Sequence, residues 1–151
     1  MHKTAFNIAS KIVLYANGNR YIYTEADFAG GGDIKFQVNE RLYMTDKSGF
    51  FTLSRSSEQN SGGNISIIGK PQFFILGKDS RLDTTGYVGD GGNIRISADH
   101  FIESATSLID ASSTFGRDGE IWINASQKDF SENLTLPKVF IVDGLSLDRC
   151  A

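Results

Sequence analysis

Cysteine occurs once, at Cys150, which excludes an internal disulfide and any metal site built on several thiolates. Proline occurs only twice. No apolar run reaches the length of a membrane-spanning helix. Clustered positive charge is missing as well. The 15 Lys and Arg stand against 18 Asp and Glu, for a net charge of −3. Neutralising a phosphate backbone needs grouped cations, so a general nucleic-acid partner is excluded. The first residues offer Lys3 as a charged start, but Asn7 and Lys11 interrupt the apolar stretch that should follow. No signal peptide is therefore expected in this sequence, and a secreted protein would need its export signal upstream. Cys150 also sits one residue too near the C-terminus for a prenylation box.

Glycine is plentiful, at 16 residues, and seven of these fall in one recurring phrase. The phrase Gly-Gly-Asn/Asp-Ile-x-apolar occurs at Gly31-Gly32-Asp33-Ile34-Lys35-Phe36, Gly62-Gly63-Asn64-Ile65-Ser66-Ile67 and Gly91-Gly92-Asn93-Ile94-Arg95-Ile96. A degenerate fourth copy is Asp118-Gly119-Glu120-Ile121-Trp122-Ile123. The second glycines are 31, 29 and 27 residues apart. Counting back by the same shifts places Ile22, Leu53, Leu82 and Ile109 at one position of the unit. A looser apolar anchor falls at Leu42, Phe73 and Phe101. Ile34, Phe36 and Val38 alternate with polar residues, as do Ile94, Ile96 and Ala98, which is the period of a half-buried strand. No stretch of helical length shows a persuasive 3.6-residue period.

A unit of three short strands cannot bury its own apolar face, but stacked copies can. The expected fold is all-β, a right-handed parallel β-helix of four to five coils, one 27–31-residue repeat per coil. A flat sheet or a β-propeller is the competing architecture, although a blade needs ~40 or more residues. Ile34–Ile65–Ile94–Ile121 and Phe36–Ile67–Ile96–Ile123 should form inward ladders, with Asp33, Asn64, Asn93 and Glu120 along a turn. The glycines there should take positive φ or bring neighbouring backbones close. One domain spans 1–151: an irregular first coil at 1–29, the repeats at 30–125, and a C-terminal cap at 126–151. The cap contains the apolar Leu134 to Val142 and no Gly-Gly phrase. The bare edge of the first coil should favour end-to-end self-association through residues 5–24.

The phrases between Gly89 and Ala125, and more weakly back to Gly30, resemble the repeats of filamentous haemagglutinin-like exoproteins of bacterial two-partner secretion systems. The closing Leu136-Pro137, Asp143 and Leu147 to Ala151 resemble the end of such chains, where a cysteine lies near the terminus. The resemblance implies a right-handed β-helix, a secreted or cell-surface location as part of a longer chain, and an adhesive role without catalytic residues. Its implied partners are upstream coils of the same exoprotein and a host or neighbouring-cell receptor or glycan. The family's N-terminal secretion domain has no counterpart here.

Candidate chemistry is sparse, and no cofactor or metal is expected. Asp83 and Asp110 are 27 residues apart and should stack on adjacent coils, with Arg81 beside them. Two such carboxylates could share a proton and act on a polysaccharide, which gives the alternative reading of a small β-helical carbohydrate-active enzyme. The simpler reading is a solvated pair repeated for architectural reasons. Gly89 to Ile94 faintly resembles a calcium-binding turn, but the nine-residue tandem period is absent and two side chains supply too few oxygens. Gly77-Lys78-Asp79-Ser80 lacks the spacing of a phosphate loop. His2 and His100 have no ligand or triad companions in the pattern. Asn64, Asn124 and Asn133 open glycosylation sequons, the first of them at the repeat turn, where conformation explains the asparagine.

Overall fold

The computed structural model describes residues 5–10, 13–16, 18–27 and 29–131. They form strands only: β1 (Ala5–Ser10), β2 (Val13–Ala16), β3 (Tyr21–Ala26), β4 (Asp33–Val38), β5 (Arg41–Met44), β6 (Gly49–Ser54), β7 (Ile65–Ile68), β8 (Phe73–Leu76), β9 (Arg81–Asp83), β10 (Ile94–Ser104), β11 (Leu108–Asp110) and β12 (Ile121–Ser131). Every pairing is parallel, and each strand lies on the strand one repeat away. The result is a β-solenoid of about four turns with a repeat near 28 residues.

Each coil has three faces. The first carries β1, β4, β7 and the start of β10. The second carries β2, β5, β8 and the end of β10. The third carries β3, β6, β9 and β11. In the fourth coil the first two faces are one continuous strand, β10, where the earlier coils turn between separate strands. β12 follows β10 in register from Ile94↔Ile121 to Ser104↔Ser131. Residues 132–151, most of the expected cap, lie outside the described residues.

The two inward ladders stand as expected, pairing Ile34–Ile65–Ile94–Ile121 and Phe36–Ile67–Ile96–Ile123. Ile34, Phe36, Ile65, Ile67, Ile94 and Ile96 are all buried. Two other registers differ from expectation. Leu53 is not in the ladder with Ile22; Phe50 is, giving Ile22–Phe50–Leu82–Ile109. The cause is a local insertion. Ile22, Leu82 and Ile109 each lie ten residues before the second glycine of their coil, whereas Phe50 lies thirteen before Gly63. The extra residues sit in the polar loop after β6, so counting back from the glycines crosses them. Leu53 pairs with Glu25 on the half-exposed outer side. The second-face anchor is likewise Leu42–Phe74–Phe101, one residue from Phe73. Phe73 faces outward and stacks on His100 at 4.9 Å.

The glycine columns owe their identity to close approach. Positive φ among the described residues falls elsewhere, at Gly18, Asn19, Asp46, Lys47, Gly69, Lys70 and Asp79. A Cβ on Gly63 would run into the carbonyl of Gly32, one on Gly92 into that of Gly63, and one on Gly119 into that of Gly92. A threonine column secures the same turn from inside. Thr24, Thr52 and Thr84 donate their hydroxyls to the carbonyls of Gly32, Gly63 and Gly92 at 2.9, 2.7 and 2.8 Å. The fourth coil has Ala111 at this position and closes with the Gly119 N–H to Ala111 carbonyl bond alone, at 2.7 Å.

Two inward columns of the second face take on charge in the later coils. Phe101 pairs with Lys128, whose ammonium lies 5.9 Å from the Phe101 ring centre. Glu103 stands opposite Leu76 in the neighbouring column. Burial pushes its carboxyl above the ordinary range, while Lys128 and the Ser107 hydroxyl pull it back.

Candidate functional site

The structure brings Asp83, Asp110 and Arg81 together on the outer side of the third face. β9 and β11 pair as Arg81↔Leu108, Leu82↔Ile109 and Asp83↔Asp110. Strand alternation sends Leu82 into the core, and so turns its two neighbours outward. Both carboxylates serve the backbone where the strand ends. Asp83 Oδ1 accepts the Thr85 N–H at 3.1 Å, and Asp110 Oδ1 accepts the Ser112 N–H at 2.9 Å. These two-residue turns explain why Asp recurs at this point of the repeat. Arg81 Nη2 reaches Asp83 Oδ2 at 3.4 Å.

Asp83 is the unusual member, with its side chain only 10% exposed. Burial raises its carboxyl above the ordinary range and Asp110 adds to the rise; the Thr85 hydrogen bonds and Arg81 oppose it. Asp83 thus holds its proton to a higher pH than an ordinary aspartate does. The same column continues as Phe51 and Tyr23 in the coils before it. Tyr21 and Tyr23 pack on the Phe51 ring at 5.5 and 5.9 Å. Aromatic rings therefore border the carboxylates on the side of the preceding coils.

The remaining candidates have structural duties or lie outside the described residues. Asn64 donates its backbone and side-chain N–H groups to Asp33 Oδ1, both at 2.9 Å. Asn64 Oδ1 accepts the Asn93 N–H at 3.0 Å, and Asn93 Oδ1 the Glu120 N–H at 2.9 Å. Asp90 Oδ1 accepts the Arg117 N–H at 2.9 Å. The oxygens of the calcium-like turn thus bind the next coil. No group of three or more potential metal ligands occurs among the described residues. His2, Asn133 and Cys150 lie outside them.

Cavities among the described residues occur on the first face and among the third-face loops. One, of about 360 Å³, lies on the first face and includes Asp33, Lys35, Ser66, Asn93 and Arg95. Another, of about 450 Å³, lies among the third-face loops beside Gln59, Asp90, Phe115 and Arg117. There Phe115 packs edge-on against Tyr87 at 5.3 Å. The variable x of Gly-Gly-Asn-Ile-x-Ile is the signal for the first cavity: it is Lys35, Ser66, Arg95 and Trp122 in turn. Comparison with protein-family models, curated proteins and solved structures finds no match.

Proposed function

We propose that this chain is a non-catalytic structural and adhesive segment of a secreted bacterial surface exoprotein, of the filamentous haemagglutinin-like kind. The supporting observation is how the side chains are used. Repeated positions are committed to stacking: inward ladders, a glycine column, an Asn/Asp ladder and threonine hydroxyls that close three successive turns. Among the described residues, no buried side-chain polar atom lacks a partner. Such a stack is a stiff rod that holds outward residues at fixed spacing. Its partners in this reading are upstream coils of the same exoprotein and a receptor or glycan on a host or neighbouring cell.

The test is surface labelling of bacteria producing the full gene product, with antibodies raised against the Tyr87–Phe115 loops. Labelling of intact cells, together with binding of chain-coated beads to target cells, is the expected result. Labelling only after permeabilisation would refute the reading. The raised carboxyl of Asp83 beside Asp110 favours one alternative, a carbohydrate-active enzyme. Turnover of an acidic polysaccharide that disappears in Asp110→Asn would establish that alternative instead.

A further inference from the structure

We propose that the first-face cavity binds an acidic sugar, holding its carboxylate between Lys35 and Arg95. The register places Lys35, Ser66, Arg95 and Trp122 in one outward row. Neighbouring strands are about 4.8 Å apart, so the two cationic side chains leave the backbone at points roughly 10 Å apart, and their long stems can converge on one carboxylate. The small Ser66 lies between them, and its size opens the cavity of about 360 Å³. That volume is at the lower end of small-molecule sites and suits a single sugar ring better than a larger ligand.

Both cations are available. Neither Lys35 nor Arg95 enters an ion pair among the described residues. Arg95 is also pre-oriented, because its guanidinium lies 4.5 Å from the centre of the Trp122 ring on the side away from Ser66. Stacking on an indole steadies the guanidinium plane and leaves its edge N–H groups for a carboxylate, which the fork can hold bidentately. The rest of the wall suits hydroxyls. Asn93 spends its carbonyl oxygen on Glu120, leaving its amide N–H groups facing no partner among the described residues. The Ser66 hydroxyl adds a donor and acceptor, and Asp33 stands on the rim as a carboxylate. Two cations suit a carboxylate, and the hydroxyl and amide groups of the wall favour a sugar over a bare polyanion. Positions 34 and 36 are held apolar by the core, whereas position 35 and its equivalents are free of stacking demands.

The proposal rests on the adhesive reading only for where such a sugar is met. Failure of the titration below refutes the site alone, and failure of surface labelling refutes the surface segment alone. The purified chain is titrated with glucuronate at low ionic strength, followed by NMR shifts and calorimetry, with glucose and inorganic sulfate as comparison probes. Saturable glucuronate binding is expected, at least tenfold tighter than glucose and weakened by added salt. Arg95→Gln and Lys35→Gln should each weaken it at least tenfold. Ser66→Leu should do the same by filling the gap with charge unchanged, while Lys78→Gln, away from the cavity, should leave it intact. Thermal melts matching the parent chain confirm that these variants fold. Equal binding of glucose, equal binding of sulfate, or an unchanged affinity in Ser66→Leu would each overturn the assignment.

Discussion

Replacing Gly92 by alanine adds one methyl group at the tightest point of the stack. A Cβ there would collide with the Gly63 carbonyl and come within 3.1 Å of the Gly62 carbonyl carbon. Both obstacles are backbone, so no side chain can swing aside. The coils must separate locally, and forced overpacking of this kind costs ~1–3 kcal/mol. The shift also strains two short hydrogen bonds to the same residue. The Gly92 N–H donates to the Thr84 carbonyl at 2.7 Å, and the Gly92 carbonyl accepts the Thr84 hydroxyl at 2.8 Å. Each is worth about 1 kcal/mol net, more when a buried group is left unpaired. The sum is roughly 3–5 kcal/mol, a large share of the ~5–15 kcal/mol typical of a domain.

Gly18→Ala separates this account from a conformational one. Gly18 has φ of 66° but nothing within 4 Å of a built Cβ. Its cost should be only the left-handed penalty of ~1–2 kcal/mol. The assay is urea unfolding followed by circular dichroism. With a slope of ~2 kcal/mol per molar, Gly92→Ala should lower the midpoint by about 2 M and Gly18→Ala by about 0.5–1 M. Equal midpoints for the two variants, or a larger loss at Gly18, would refute the close-approach argument.

Further outcomes can be measured. Ile94 is fully buried, so Ile94→Asp should abolish cooperative unfolding, since an unpaired buried carboxylate costs several kcal/mol. Thr84→Val keeps the shape but strands the Gly92 carbonyl, and should cost ~1–3 kcal/mol in urea titrations, whereas Ala111→Thr should be neutral or add up to ~1 kcal/mol by completing the column. Asp83 has a folded pKa above its unfolded value, so the folded state binds its proton more tightly. Its contribution is favourable below the ordinary aspartate range and is lost as pH rises through the raised value. Asp83→Asn should therefore stabilise at neutral pH, with the gain vanishing on acidification, and a pH-independent difference would contradict the shift. β1, β2 and β3 are end strands of their sheets among the described residues, so light scattering should show concentration-dependent association; a strict monomer would count against strand addition.

The fold was legible because stacking forces the same residue type into the same place on every coil. Gly32, Gly63, Gly92 and Gly119 mark one column, and the Ile34 and Phe36 ladders follow from it by strand alternation. Registers went astray only where a constant offset crossed a length change. The loop after β6 moved the third-face ladder from Leu53 to Phe50, and the turn before β8 moved the second-face anchor from Phe73 to Phe74. The threonine column escaped notice because the loop after β6 shifts Thr52 against its glycine and Ala111 breaks the column in the fourth coil, so its bonds span eight residues in two coils and eleven in another. Asp83 and Asp110 were found from their shift of 27 residues. Their burial and their backbone partners depend on the end of a strand whose limits spacing does not define.

The outward positions behave in the opposite way, and that difference is where function is to be sought. The column Tyr23–Phe51–Asp83–Asp110 changes from aromatic to acidic along the stack, and Lys35–Ser66–Arg95–Trp122 alternates cation, hydroxyl, cation and indole. A purely architectural surface would need only polarity at these sites, and serine throughout would satisfy it. A solenoid keeps such choices independent, because an outward side chain on one coil meets only its row neighbours at about 4.8 Å. Each row is then a linear display whose spacing is set by the backbone and whose chemistry is set residue by residue. Lys35 and Arg95 acquire a common target only because Ser66 between them is small. The core that aligns the three contributes rigidity and no recognition.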